Sequence, residues 1–216
     1  MNKYIIFSGM DGTGKSTHAK YVNYFYKLHG INVNYIWMRG KGRIILSLIL
    51  LSMCKILRIT KYHRLDNGKF VAIYNFHNYK PLRFIWPIFQ FFDSYIYWKI
   101  ILPIYTFFRN ELLIIDRCPI DTYVDIIYDT KTFSNNLLFF FIKLIPDPLK
   151  VVIFDLNEEV AYKRKDDILN INHLMGRRKI YTKIAHQYQL DIFSTEKSFD
   201  LTSSYLLKIL VKKGFT

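Results

Sequence analysis

The chain opens on Tyr4-Ile5-Ile6-Phe7, an apolar run with aromatic and β-branched residues, and this pattern predicts a buried strand. A glycine-rich turn follows, and residues 17–28 read as a helix. Residues 32–37 predict a second strand, after which comes the basic turn Arg39-Gly40-Lys41-Gly42-Arg43. Helices are predicted over much of 44–57 and 84–109, with an irregular, aromatic and basic insertion at 58–83 between them. Residues 111–116 predict a third strand ending in a carboxylate, residues 151–154 a fourth, and residues 158–165 the start of another helix. A short strand at 198–201 is expected before the last helix. Strands separated by helices imply an α/β fold, here a five-stranded parallel sheet covered by helices on both faces. Ligands should then collect at the carboxyl ends of those strands.

Two apolar stretches test whether the chain crosses a membrane. Residues 44–57 are too few for a spanning helix and contain Lys55. Residues 84–108 are long enough, but Pro87, Asp93, Lys99 and Pro103 interrupt them, and a central Asp and Lys are costly in lipid. Both stretches therefore read as buried helices, while peripheral membrane contact through the aromatic segment 82–108 stays open. No repeat or linker divides the chain, and 216 residues suit one domain with enough core to fold without disulfides or a metal staple.

Composition refines this picture only slightly. Cys54 and Cys118 stand far apart and form no metal-like spacing, a usage that suits a reducing compartment. The first apolar run ends at Phe7, too early for the core of a signal peptide, so a cytoplasmic location is expected. A net charge of +14 is compatible with nucleic-acid binding. Its cations are spread along the chain, however, with a dense cluster only near 163–183, so nucleic acid is not an expected partner. Local phosphate binding by that cluster is the better reading.

The chemistry is concentrated in Gly9-Met10-Asp11-Gly12-Thr13-Gly14-Lys15-Ser16-Thr17, which fits the phosphate-loop pattern GxxxxGK[ST] between a predicted strand and a predicted helix. Its glycines let the backbone curl so that successive N–H groups and the helix N-terminus face the phosphates of ATP. Lys15 supplies a mobile charge for the β- and γ-phosphates, and the Ser16 hydroxyl is an oxygen ligand of the kind Mg²⁺ prefers. At the end of the third strand, the Asp116 carboxylate can hold water on Mg²⁺ or accept a proton. The adjoining Arg117 can grip a phosphate in bidentate fashion.

Phe7-Ser8 with this phosphate loop, Asp116-Arg117 at a strand end, and Pro146-Asp147 leading into 151–156 and 158–164 together resemble the thymidylate kinases. The order and spacing match over nearly the whole chain, apart from 40–85, which has no placed counterpart. The resemblance implies a P-loop NTPase fold with a basic lid near 163–180, and a homodimer packed through helices, with 84–108 supplying that face. It further implies that Asp11 contacts the sugar of the acceptor, that Arg39 and Arg117 hold the acceptor phosphate, and that Asp116 organises Mg²⁺ and its waters. Arg164, Arg177 and Arg178 are the arginines expected to close over the phosphates, because the loop itself carries Gly12 and Thr13 and no arginine.

Departures from that family's pattern bear on the acceptor. No arginine stands in 90–95, where the family carries one that reads the base, which leaves Phe91 or Phe92 either to stack on the base or, the better reading, to fill the core. Asp121 follows Asp116-Arg117 and places a further carboxylate beside the expected acceptor site, where it would repel an anion. Three readings follow. The first is ATP- and Mg²⁺-dependent phosphorylation of a nucleoside monophosphate, with dTMP foremost. The second is a kinase for an uncharged hydroxyl, as of a deoxynucleoside. The third is an ATP-binding protein without effective turnover at a membrane surface.

Overall fold

The computed structural model describes residues 3–38, 44–65, 68, 70–146, 150–165 and 167–211. Strand β1 (Lys3–Gly9) passes through the glycine turn into α1 (Lys15–Leu28), and β2 (Val33–Trp37) follows. Next come α2 (Leu46–Ile56), the strands β3 (Lys61–Arg64) and β4 (Phe70–Ile73), and a 3-10 turn at Phe76–Asn78. A long helical segment then runs through α3 (Lys80–Tyr95), a π-helical stretch (Ile96–Ile101) and α4 (Leu102–Phe107). Strand β5 (Leu112–Asp116) leads to α5 (Pro119–Thr130) and α6 (Asn135–Leu144). The remaining elements are β6 (Lys150–Asp155), α7 (Glu158–Lys163), α8 (Ile171–Gln187), β7 (Asp191–Ser194) and α9 (Phe199–Val211).

Five of the strands form one sheet in the order β2-β5-β1-β6-β7, and every pairing in it is parallel. Alternation along β1 divides the core between the two faces. Tyr4 and Ile6 join the cluster built with α3, α5, α6 and α8, while Ile5 and Phe7 join the one built with α1 and α9. Because the strands share one direction, Gly9, Trp37, Asp116, Asp155 and Ser194 all arrive at the same edge of the sheet. The site is built along that edge.

The structure departs from the sequence pattern in three places. The segment 58–83 is not irregular, since β3 and β4 pair as an antiparallel hairpin and α3 already begins at Lys80. All four residues of β3 are exposed, so no buried face imposed the alternation that marks a strand. The last strand lies at Asp191–Ser194 and not at 198–201, where α9 starts. This edge strand buries Phe193 alone, too little to leave a pattern. Helices α5 and α6, unassigned by the pattern, cover the sheet between β5 and β6.

Asp93 explains how a carboxylate sits inside an apolar helix. It is fully buried on α3 and accepts the backbone N–H groups of Ile44, Ile45, Leu46 and Ser47 at 2.8–3.3 Å. These are donors that the start of α2 leaves without partners, so the acid caps a neighbouring helix. Gln90, one turn earlier, donates to Ser47 Oγ in the same junction.

Candidate active site

The glycine turn between β1 and α1 leaves no room for side chains. Gly9 has φ +139°, and a Cβ there would strike the carbonyl oxygen of Phe154 on β6. Gly12 has φ +84°, and its Cβ would meet the Ala161 carbonyl of α7 at 2.5 Å. The loop is therefore pressed backbone to backbone against both β6 and α7. Thr13 and Lys15 both donate to the Met10 carbonyl, at 2.9 and 3.0 Å, which curls the loop over the helix start. Ser16 and the exposed Thr17 follow on the first turn of α1.

Lys15 is nearly buried, and its ammonium lies 3.8 Å from Asp11. Burial first, and the nearby Arg117 charge second, push its pKa down to about 8, against the pull of Asp11 and Asp121. A lysine so poorly solvated gains a great deal from an incoming phosphate. Asp11 itself also meets Arg117 and, at 3.5 Å, Lys165.

Arg117 directly follows β5 and adopts φ 78°, a left-handed conformation that is costly for a non-glycine residue. Its N–H donates to the Phe7 carbonyl at 2.8 Å, which ties the turn to β1. Burial disfavours the guanidinium's charge, but Asp11 and Asp121 outweigh that cost and hold its pKa above the ordinary arginine value. Asp116, fully buried one residue earlier, accepts the Tyr35 hydroxyl on Oδ2 at 3.0 Å. Its Oδ1 has no hydrogen-bond partner among the described residues.

Two cavities open along this edge of the sheet. The first, of about 520 Å³, is lined by the loop and by Lys15, Arg117, Arg164, Lys165 and Lys197 against the single carboxylate of Asp11. Such a surplus of cations suits a polyphosphate. Its far wall includes His18, which bridges the Gly14 carbonyl at 2.9 Å and Thr202 Oγ1 at 3.0 Å and so links α1 to α9. Burial lowers the His18 pKa. The second cavity, of about 270 Å³, lies between β4 and α5, with Asp125, Tyr128, His173 and Arg177 in its wall. Asp11 and Arg117 line both cavities.

The basic cluster splits between several positions. Arg164 faces the first cavity and donates to the Thr195 carbonyl at 3.3 Å. Arg177 faces the second, nine-tenths buried, where it pairs with Asp125 and lies 3.2 Å from His173 Nε2. Burial, then that guanidinium, push the His173 pKa down to about 4, so the ring is neutral at pH 7. Arg178 faces neither cavity. Its guanidinium is taken up by both oxygens of Asp155, at 2.8 and 2.7 Å, and by Glu158, so it braces α8 against β6 and α7.

Three further residues expected at the acceptor do not face either cavity. The Phe91 ring packs edge-on against Phe140 and Phe141, and Phe92 projects outward from α3, half exposed. Asp121 is buried as the third residue of α5. It accepts Ser8 Oγ at 2.7 Å, the Cys118 N–H at 2.8 Å and the Tyr181 hydroxyl at 2.8 Å. With Cys118 as the helix cap, it completes a capping box, so its charge is spent inside the fold. Arg39 lies outside the described residues.

Sequence reasoning missed several residues that the structure brings to the site. Thr195 donates to the Thr13 carbonyl at 2.9 Å, and misplacement of the last strand concealed it. Tyr35 holds Asp116 across two strands, and its own pKa is raised by burial and then by that carboxylate. Lys165, a member of the basic cluster with no role assigned from the sequence, reaches Asp11, and Asp125 and Asp129 gave no local signal at all.

A parallel sheet of this order, with a glycine-rich loop at the end of its central strand, is a thymidylate kinase-like α/β fold. The chain is similar in structure to the thymidylate kinase of Ehrlichia chaffeensis, with a TM-score of 0.58 and 18% sequence identity over 97% of this chain and 98% of that one. No family model matches the sequence, and neither does any curated protein.

Proposed function

We propose that the chain transfers the γ-phosphoryl group of ATP to a small acceptor held in the second cavity, as a phosphotransferase of thymidylate kinase type. The observation that carries this reading is the sharing of Asp11 and Arg117 by the two cavities, because in-line transfer needs donor and acceptor to meet at common residues. In this reading residues 9–17 cradle the phosphates and Lys15 neutralises the β- and γ-groups. Arg164 closes on the donor side, Arg177 belongs to the acceptor side, and Arg117 stands between them. These residues surround the transferred group with charge, and loss of one transition-state arginine costs on the order of 10³-fold in rate where it acts as a finger.

The residues present fit Mg²⁺. Asp116, which lines neither cavity, offers a buried carboxylate oxygen without a hydrogen-bond partner among the described residues, and Ser16 is among the residues that line the first cavity. These two would hold the ion, directly or through water. Held there, Mg²⁺ would supply positive charge to offset that of the phosphates. Tyr35 and the strand pairing of Asp116 keep that carboxylate in place.

A nucleoside monophosphate is the acceptor class favoured by the thymidylate kinase-like fold, and dTMP is its first member to test. A second reading, phosphorylation of an uncharged hydroxyl, is favoured by the second cavity's own charge. Asp11, Asp125, Asp129 and Asp167 face it against Arg117 and Arg177. Radiolabelled ATP with Mg²⁺, offered dTMP and thymidine in parallel, separates the two. Labelled dTDP is expected under the first reading, and labelled thymidylate from thymidine alone would replace it by the second. Bound ATP with no labelled product from a wider acceptor set would end both. Lys15→Ala is the control, and it should abolish turnover.

A further inference from the structure

Among the described residues, three cations from separate parts of the chain meet at one oxygen. Asp11 Oδ1 lies 3.8 Å from the Lys15 ammonium and 3.5 Å from that of Lys165, and the Arg117 guanidinium donates to the same atom. Lys15 comes from the start of α1, Arg117 follows the end of β5, and Lys165 lies in the connection after α7. Because Asp11 and Arg117 line both cavities, this convergence marks the junction between them. A carboxylate oxygen gathered by three cations stands where an oxygen of a phosphoryl group would be stabilised on its way from one cavity to the other.

Arg164 and Lys165 are adjacent in the chain but serve different ends of the first cavity. The Arg164 guanidinium donates to the Thr195 carbonyl, and its charge contributes, after burial, to the lowered pKa of His18 on the far wall. Lys165 turns instead toward Asp11 and, at 2.9 Å, toward Asp167 Oδ1. Lys165 lines the first cavity and Asp167 the second, so this lysine already touches carboxylates of the acceptor side. Its side chain is 34% exposed, and ion pairs of that kind are weak enough to be exchanged for a more highly charged group. The flexible four-carbon stem permits the exchange without movement of the backbone.

We propose that Lys165 is a catalytic residue that neutralises the transferred phosphoryl group, in the part an arginine finger plays elsewhere. The proposal rests on the phosphotransfer reading of the two cavities. An acceptor oxygen attacks the γ-phosphorus, the bond from that phosphorus to the bridging oxygen of ADP breaks, and ADP leaves with the electron pair. A phosphate dianion has no proton to lose as it attacks, whereas a hydroxyl acceptor gives its proton to the Asp11 carboxylate. Charge on the equatorial oxygens of the transferred group draws the Lys165 ammonium from Asp11 and Asp167 to the point where Lys15 and Arg117 already converge. Because that contact is made with the group in transit, its loss falls on kcat and spares ATP affinity.

The test compares the parent chain with Lys165→Ala, Lys165→Arg and Lys163→Ala, the last an exposed lysine that lines neither cavity. Transfer from γ-labelled ATP is followed to dTMP, to thymidine and to water, and ATP affinity is measured by calorimetry. Lys165→Ala is expected to lower kcat on the order of 10²-fold or more, while Kd for ATP changes by less than about threefold. Its thermal unfolding should match that of the parent, as for other partly exposed positions. Lys165→Arg should recover most of the rate, and Lys163→Ala should leave it unaltered. Equal kcat in the parent and Lys165→Ala overturns the proposal and leaves the phosphotransfer reading standing. A loss of ATP affinity as large as the loss of rate also overturns it, by making Lys165 a residue of ground-state binding. So does an equal loss in Lys163→Ala, which traces the effect to general surface charge, and so does an arginine variant as slow as the alanine one. ATP bound by the parent with no transfer to either acceptor or to water ends the phosphotransfer reading, and this proposal with it.

Discussion

Replacing Asp121 by alanine separates the two roles that its position allows. The carboxylate accepts three buried donors at 2.7–2.8 Å, from Ser8, Cys118 and Tyr181, and stands 3.5 Å from the Arg117 guanidinium. Each buried donor left without an acceptor costs about 1–3 kcal/mol, and breaking a buried ion pair from one side costs about 3–5 kcal/mol. These costs do not simply add. The two hydroxyls can rotate toward other acceptors, and Arg117 keeps Asp11. A net loss of about 3–5 kcal/mol is therefore expected, a large part of the stability of a typical domain. At roughly 2–4 °C per kcal/mol for a chain of this size, Tm should fall by about 6–20 °C. Urea unfolding followed by circular dichroism measures the loss, and an unchanged m-value shows that the unfolded state is not responsible. Acceptor KM is then measured at a temperature where the variant is folded, and little change is expected there. A stability loss below about 1 kcal/mol, together with a raised acceptor KM, would refute the assignment of Asp121 to the fold.

Three other outcomes follow from the site. Lys15 in the free protein loses its proton near pH 8, while bound phosphates would restore it, so ATP affinity should be constant below pH 8 and decline as pH rises through that value. Calorimetry in buffers of different ionisation enthalpy should show proton uptake above pH 8, and its absence would mean that Lys15 does not touch the phosphates. Arg117→Lys keeps a charge but loses the guanidinium fork, so kcat/KM for a phosphorylated acceptor should drop on the order of 10²-fold or more while ATP still binds. Unaltered acceptor kinetics would remove Arg117 from that role. Tyr35→Phe deletes the hydroxyl held by Asp116 and should raise the Mg²⁺ concentration needed for half-maximal turnover by about tenfold, the lower end for a partner outside the ligand set. An identical Mg²⁺ titration would count against Asp116 as part of a metal site.

The residues legible in the sequence are those whose chemistry is local. Residues 9–17 are consecutive, and the tight turn they form depends on glycine's access to positive φ, so their order alone declares it. Asp116-Arg117 was legible for a related reason, since a strand end in a parallel sheet can be read from an apolar run that stops at a carboxylate. Asp121 was equally visible beside Arg117, but its other partners were not. Its partners Ser8 and Tyr181 lie 113 and 60 residues away, and no local pattern announces them.

Arg177 and Arg178 mark the same boundary within one dipeptide. The sequence by itself determined a basic helix, the glycine loop, and the alternation of strands and helices that makes a parallel sheet. Adjacent positions on a helix point about 100° apart, however. One guanidinium therefore enters the second cavity beside Asp125, and the next is consumed by Asp155 and Glu158. Tertiary structure alone decided that division, the hairpin wall of the second cavity, and the burial of Asp93 on α3. In each case the controlling contact joins residues distant in the chain, and its energy depends on burial that the local sequence does not carry.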